Sequence, residues 1–232
     1  MKLWVGTSGF SYKEWKGRFY PEDLPDREML SYYSRCLPAV EINNTFYRLP
    51  RAEMLQTWSE QTPETFRFVL KASQRITHKK RLKEAEDETH YLFETAQGLG
   101  ERLGVIFFQL PPYLRKDVAR LEAFLQILPE PRRAAFEFRH ESWFDQEVYD
   151  CLAAHGSALC LADTEKNDAP ELVATSDWGY LRLRREAYDD AELTAWVERV
   201  KGQNWRAAYV FFKHEDESAG PKLAQRFLEL AQ

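Results

Sequence analysis

The sequence predicts an α/β fold, a single TIM-type (β/α)8 barrel over residues 1–232, and three observations carry that prediction. Short runs rich in β-branched and aromatic residues alternate with helix-periodic stretches along the whole chain, the pattern of βαβ units and a parallel sheet. Eight such runs fit into 232 residues, slightly under the usual length of about 250 for a barrel with few insertions. Charged residues stand at the C-terminal ends of the runs, the edge on which barrels of this kind build their sites. A doubly wound open sheet is the structural alternative.

The first run, 3–7, leads from the N-terminus into a turn containing Gly6 and Gly9. A helical stretch at 28–36 follows, then the run 39–43, a helix at 52–60 and the run 66–71. A long helical stretch, 84–102, precedes the fourth run, 105–109, and another, 118–128, precedes the fifth, 134–138. A helix at 146–155 leads to the sixth run, 158–163. The next connection, 164–177, has only a weak helical pattern before the seventh run, 180–184. A helix at 192–201, the eighth run, 208–213, and a helix at 221–231 with Pro221 at its first position complete the alternation.

Side chains alternate between the two faces of a strand, so parity sorts each run into an inward and an outward set. In Val40-Glu41-Ile42-Asn43 the polar pair shares one face and the aliphatic pair the other. Parity also groups Ala135, Glu137 and Arg139, Val69 with Lys71, Phe107 with Gln109, and Leu161 with Asp163. Tyr180 goes with Arg182 and Arg184, and Phe211 with Lys213. Charge withdrawn from water is costly unless paired or used, so this convergence predicts a site at the barrel mouth. The bland counterpart is a self-satisfied layer of internal salt bridges.

Composition sets the bounds. Hydrophobic residues make up 44% of the chain and aromatics 14%, enough for one substantial core. With 37 acidic and 32 basic side chains the formal charge is −5, so no global field draws nucleic acid or acidic membrane. Cys36, Cys151 and Cys160 are too scattered for a disulfide framework or a metal knuckle, which fits a reducing compartment. No signal peptide or membrane span is expected, and the predicted location is cytoplasmic. Nothing in a closed barrel forces a dimer, so the oligomeric state stays open.

The strings VGTSGFSYKEW at 5–15, FYP at 19–21, EINNTFYRLP at 41–50, ITH at 76–78, QLPP at 109–112 and EFRHESW at 137–143 come in an order and spacing that is specific as a set. In them the chain resembles the YecE-like family, domain of unknown function 72, over nearly its whole length. The resemblance implies a (β/α)8 barrel and no assigned activity. Many relatives carry His-Gly after the seventh strand and end the eighth in Asn-Asn-Asp. Here Arg184-Arg185 and Lys213-His214-Glu215-Asp216 stand in those places, which leaves the roles of Arg184, Arg185 and His214 open.

The mouth is expected to hold more positive than negative charge, with Glu41, Glu137 and Asp163 facing Lys71, Arg139, Arg182, Arg184 and Lys213. That balance predicts a small anionic ligand, for which Arg supplies a planar fork and Lys a compact charge. A basic run of His78, Lys79, Lys80, Arg81 and Lys83 is expected to overhang the same opening. Glu41, Glu137 and Lys71 are the candidate catalytic residues, with a Glu as base and with Lys71 and Arg139 holding both carboxylates ionised. A Schiff-base role for Lys71 is disfavoured, because neighbouring carboxylates would keep it protonated. Arg139, Arg182, Asn43, Gln109, Asp163, Lys213, Tyr47, His140 and Trp143 are the candidate substrate-binding residues.

Two other classes compete with this cofactor-free enzyme. A metal-dependent hydrolase would use Glu41, Glu137, Asp163 and His214, but Lys71 and Lys213 on the same face oppose a divalent ion. A non-catalytic binder of nucleic acid or nucleotide would use the basic run and the rings of the loops, Phe10, Tyr12, Trp15, Phe46, Tyr47, Tyr113, Trp143 and Phe144. Packing of those rings over the barrel is the structural counterpart, above all for Trp15 and Trp143.

Overall fold

A computed structural model of the chain describes residues 1–48, 50–130, 133–165, 171–213 and 219–232. Eight parallel strands close into a barrel in sequence order, the eighth pairing with the first. They are β1 (Lys2–Ser8), β2 (Ala39–Ile42), β3 (Arg67–Lys71), β4 (Leu103–Gln109), β5 (Ala134–Glu137), β6 (Ala158–Asp163), β7 (Trp178–Leu183) and β8 (Ala207–Phe212). The helices are α1 (Met29–Cys36), α2 (Ala52–Glu60), α3 (Glu86–Ala96), α4 (Val118–Gln126), α5 (Gln146–Ala154), α6 (Asp190–Lys201) and α7 (Ala219–Leu230).

The predicted elements stand within a few residues of their expected bounds, with two differences. The stretch 84–102 is not one helix: α3 stops at Ala96, and a 3-10 segment at Gln97–Arg102 carries the chain to β4. Gly100, with φ at 52°, supplies the left-handed turn that a helix interior cannot contain. Helix α7 starts at Ala219, before Gly220-Pro221 rather than at Pro221. The sixth connection has no helix among its described residues. Residues 166–170 of that connection, together with His214, Glu215, Asp216 and Glu217, lie outside the described residues.

Alternation divides the core into two shells. Val69, Val105, Phe107, Ala135, Tyr180 and Phe211 fill the barrel, with Phe107 stacked on Tyr180 at 5.0 Å between centroids. Val40, Phe68, Ile106, Phe136, Leu181 and Val210 point the other way and pack beneath the helices. Each such side chain contributes about 1.5–3 kcal/mol on burial. No helix among the described residues is long and apolar enough to cross a membrane.

Gly6 allows β1 and β2 to close over the inner layer. A Cβ there would collide with the Ala39 carbonyl oxygen, a backbone atom, and would press on the Tyr33 hydroxyl. Gly6→Ala should therefore destabilise by about 1–3 kcal/mol, seen as a lower urea midpoint at unchanged m. An unchanged midpoint would mean that the two strands can part at this level.

Candidate functional site

Where the inward set reaches the C-terminal end of the barrel, three buried charges form one bridge. Arg182 on β7 donates from Nη2 to Glu41 Oε1 at 3.0 Å and from Nη1 to Glu137 Oε2 at 2.7 Å. The three side chains are 2%, 0% and 3% exposed, so no solvent screens them. Glu41 also accepts from Ser8 Oγ at 2.7 Å and Asn43 Nδ2 at 3.3 Å on Oε1, and from the Tyr180 hydroxyl at 2.6 Å on Oε2. Glu137 Oε1 accepts from Gln109 Nε2 at 2.6 Å. Burial alone pushes both carboxyls upward, but Arg182 and the hydrogen-bond donors outweigh it and hold both below the usual carboxyl range.

Gln109 relays this network to Lys71. Its amide nitrogen is committed to Glu137, so its Oε1 faces Lys71 Nζ and accepts from it at 2.9 Å. The ammonium lies 4.4 Å from the Phe46 centroid. Thr45 ties the loop after β2 to this point, its hydroxyl reaching the carbonyls of Ile42 at 3.0 Å and Lys71 at 2.6 Å. Burial, then the Arg182 charge, lower the Lys71 pKa to about 8, more than the carboxylates raise it. His78 stands edge-on to Phe46 at 4.9 Å. Burial and the Lys71 and Arg139 charges push its pKa down, which keeps the ring neutral at pH 7.

Above this layer opens a cavity of about 280 Å³. Lys71, Arg139, Arg182, Arg184 and Lys213 line it together with Gln109, Asn43, Asn44, Tyr12, Phe46 and Tyr47, and no carboxylate among the described residues does. Among the described residues Arg139 and Arg184 make no ion pair, and Lys71 has no carboxylate within ion-pair distance. Asn43 Oδ1 and Arg182 Nε are buried without a hydrogen-bond partner there. A larger cavity of about 1020 Å³ adjoins this one past Arg139 and Arg184, bordered by Glu137, Cys160, Tyr180 and both described edges of the sixth connection.

The structure thus brings together Glu41, Lys71, Gln109, Glu137 and Arg182, with Asn43, Tyr47, Arg139 and Lys213 around the opening. Three residues expected at the mouth stand elsewhere. Asp163 shares the helix-facing side of β6 with Leu161, because Ala158 and Cys160 are the inward residues of that strand. It accepts from Arg185 Nε at 3.0 Å and from the Tyr188 hydroxyl at 2.8 Å, which also places Arg185 outside the barrel. Trp143 is fully buried, stacked on Phe138 at 4.5 Å with its indole N–H donating to the Leu114 carbonyl at 2.7 Å, and Trp15 is equally buried. His140 caps a short 3-10 turn, accepting from the Ser142 N–H, and does not line the cavity.

Two expectations about charge are also corrected. Arg182, rather than Lys71 with Arg139, is the cation that pairs with both glutamates. In the basic run, Lys80 is committed to Glu88 at 2.7 Å, and His78 is the member that reaches the Lys71 side of the mouth. With Asp163 turned away, no group of three metal-ligating side chains stands together among the described residues. Ser8 and Asn44 are site residues that sequence reasoning did not select, whereas Arg184 was expected among the mouth cations, Tyr180 inward beside Arg182, and Tyr12 among the loop rings. Ser8 was legible as inward by parity, being two residues from Gly6 on its strand.

Comparison with known proteins agrees with this architecture. A family model described as protein of unknown function DUF72 matches residues 4–232. UPF0759 protein YunF of Bacillus subtilis is 24% identical over 231 residues, spanning 93% of this chain and 79% of that protein. UPF0759 protein YecE of Escherichia coli K12 is 33% identical over 116 residues, 50% of this chain and 43% of its own length. The crystal structure of a DUF72 family protein from Thermotoga maritima MSB8 superposes with a TM-score of 0.85 at 27% identity, with 99% of each chain covered. One from Enterococcus faecalis V583 shares the fold, with a TM-score of 0.81 at 19% identity over 99% of this chain and 95% of that one. None of these names states an activity. From its barrel and its match over almost every residue, this chain belongs to the DUF72 family.

Proposed function

We propose that the protein is a small enzyme that binds a phosphorylated or carboxylated ligand at the C-terminal mouth of the barrel, without a cofactor. The observation that carries this reading is a cavity lined by five cations and, among the described residues, no carboxylate, above two carboxylates already occupied by Arg182. Arg139 and Arg184 supply forked donors for the anion and Lys71 a compact charge. Asn43 Oδ1, a buried acceptor with no partner among the described residues, favours a ligand that also carries a hydroxyl or N–H group. Glu41 and Glu137 fix Arg182 in place. As bases, both would first have to give up charge-assisted bonds. Lys71, with its pKa lowered to about 8, is better suited to proton transfer.

A thermal-shift series on the purified protein tests this reading with inorganic phosphate, sugar phosphates, nucleotides, short oligonucleotides and divalent metals. A ligand at a hundred times its Kd stabilises by about 2.7 kcal/mol, so a shift of several degrees is expected from one anionic class. Arg139→Ala and Arg184→Ala should each reduce it. A rise from divalent metal alone, with none from any anion, would overturn the reading.

A nucleotide is the second reading, favoured by Tyr47 and Tyr113, which are 75% and 64% exposed on the rim beside the cations. A base stacked on Tyr47 would make AMP bind more tightly than phosphate, and Tyr47→Ala would erase the difference. An oligonucleotide spread across several phosphate contacts would lose affinity steeply with salt.

A further inference from the structure

Buried or half-buried lysines are normally matched by a carboxylate, and among the described residues Lys71 is not. The two carboxylates near it are both held by Arg182, and its hydrogen-bond partner is the neutral Gln109 oxygen at 2.9 Å. Lys71 lines the same 280 Å³ cavity as Arg139, Arg184 and Asn43. An amine among other cations, desolvated and kept from an ion pair, is activated as a nucleophile toward carbonyl carbon. We infer that Lys71 forms a transient imine with its ligand, which makes the ligand class an anionic aldehyde or ketone, either a 2-oxo acid or a keto phosphate, held by Arg139 and Arg184. This inference rests on the anion-binding reading above and names the substrate class of that site.

The step is balanced without a cofactor. The neutral amine adds to the carbonyl carbon, and as the C–N bond forms, the C=O π pair moves to oxygen. That oxygen takes one proton from the nitrogen and a second from solvent and departs as water, leaving a protonated imine with no net oxidation or reduction. With a pKa of about 8, Lys71 presents the neutral amine in about a tenth of molecules at pH 7 and in half at pH 8. The protonated imine restores a positive charge at the position where the ammonium faces Phe46 and Gln109.

Reductive trapping tests the inference. The protein is incubated with sodium cyanoborohydride and either pyruvate, dihydroxyacetone phosphate or acetone, and adducts are located by intact mass and peptide mapping. The expected result is a mass gain equal to the probe less one oxygen atom, on the peptide containing Lys71, from at least one of the two anions. Acetone should not label it, excess inorganic phosphate should suppress the adduct, and Lys71→Met should lose it. A preference for pyruvate or for dihydroxyacetone phosphate separates the 2-oxo acid from the keto phosphate. Adducts scattered over surface lysines with Lys71 unmodified would overturn the imine, and equal labelling by acetone would overturn the anionic class. If phosphate still raises the melting temperature while Lys71 stays unlabelled, the imine falls and the anion site stands. If phosphate gives no shift either, both fall.

Discussion

Arg182→Met is expected to destabilise the protein by about 3–5 kcal/mol at pH 7, because it leaves two buried carboxylates facing each other without their shared cation. The loss should depend on pH with a definite sign. In the native protein both carboxyls titrate below their ordinary value of 4.5, so their contribution is complete above that value and fades as pH falls through the folded values. In the variant, burial without Arg182 raises them. The variant then loses stability as pH rises from the ordinary value toward the raised one, and the gap to the native protein widens from about pH 4 to pH 7. Urea unfolding at several pH values measures this directly. Adding Glu41→Gln and Glu137→Gln to Arg182→Met should recover most of the loss. A deficit under about 1 kcal/mol, flat in pH, would show that the bridge carries no such burden.

Lys71→Met is expected to do the reverse, stabilising the protein while abolishing the phosphate shift. The folded Lys71 releases its proton at about 8, against 10.5 for the ordinary side chain. Between those values the unfolded chain binds a proton that the folded one does not, so native stability rises with pH across that window, and below it the full penalty is present. Methionine keeps the stem against Phe46 and removes the charge. Allowing for the partial exposure of Lys71, the gain at pH 7 should be on the order of 2 kcal/mol, closing as pH approaches 10.5. Such an exchange of stability for function is what a binding site built from unpaired charge entails. A variant less stable than the native protein at pH 7, with its phosphate shift intact, would remove Lys71 from the site.

The barrel was legible because each strand carries its own local signal and each connecting helix its own period. The inward residues were legible wherever a strand alternates between polar and aliphatic, as Glu41 and Asn43 do against Val40 and Ile42. On β6 that contrast is missing. Ala158, Cys160 and Ala162 are small enough for the interior, and the one polar residue, Asp163, faces out toward Arg185 and Tyr188, more than twenty positions along the chain. Parity also placed Arg182 and Arg184 on one face without saying which would reach the carboxylates. That depends on depth, since only Arg182 is level with Glu41 and Glu137, and depth comes from the register of strands far apart in sequence. Trp143 follows the same logic, its burial being set by Phe138 and the Leu114 carbonyl rather than by its place on a loop.

The Arg182 bridge has a consequence for how the site can change. Anchored on β2, β5 and β7 and backed by the Phe107 ring 4.9 Å away, it is a floor at fixed depth. A molecule whose anionic end rests on it can lengthen toward the rim, where Tyr47 and Tyr113 are exposed, or sideways past Arg139 and Arg184 into the larger cavity, but not through the bridge. Tolerance in a series of ligands is then one-sided: extension at the far end is admitted and extension at the charged end is refused. Substitutions at the rim can likewise alter what is selected while leaving the folding of the barrel untouched.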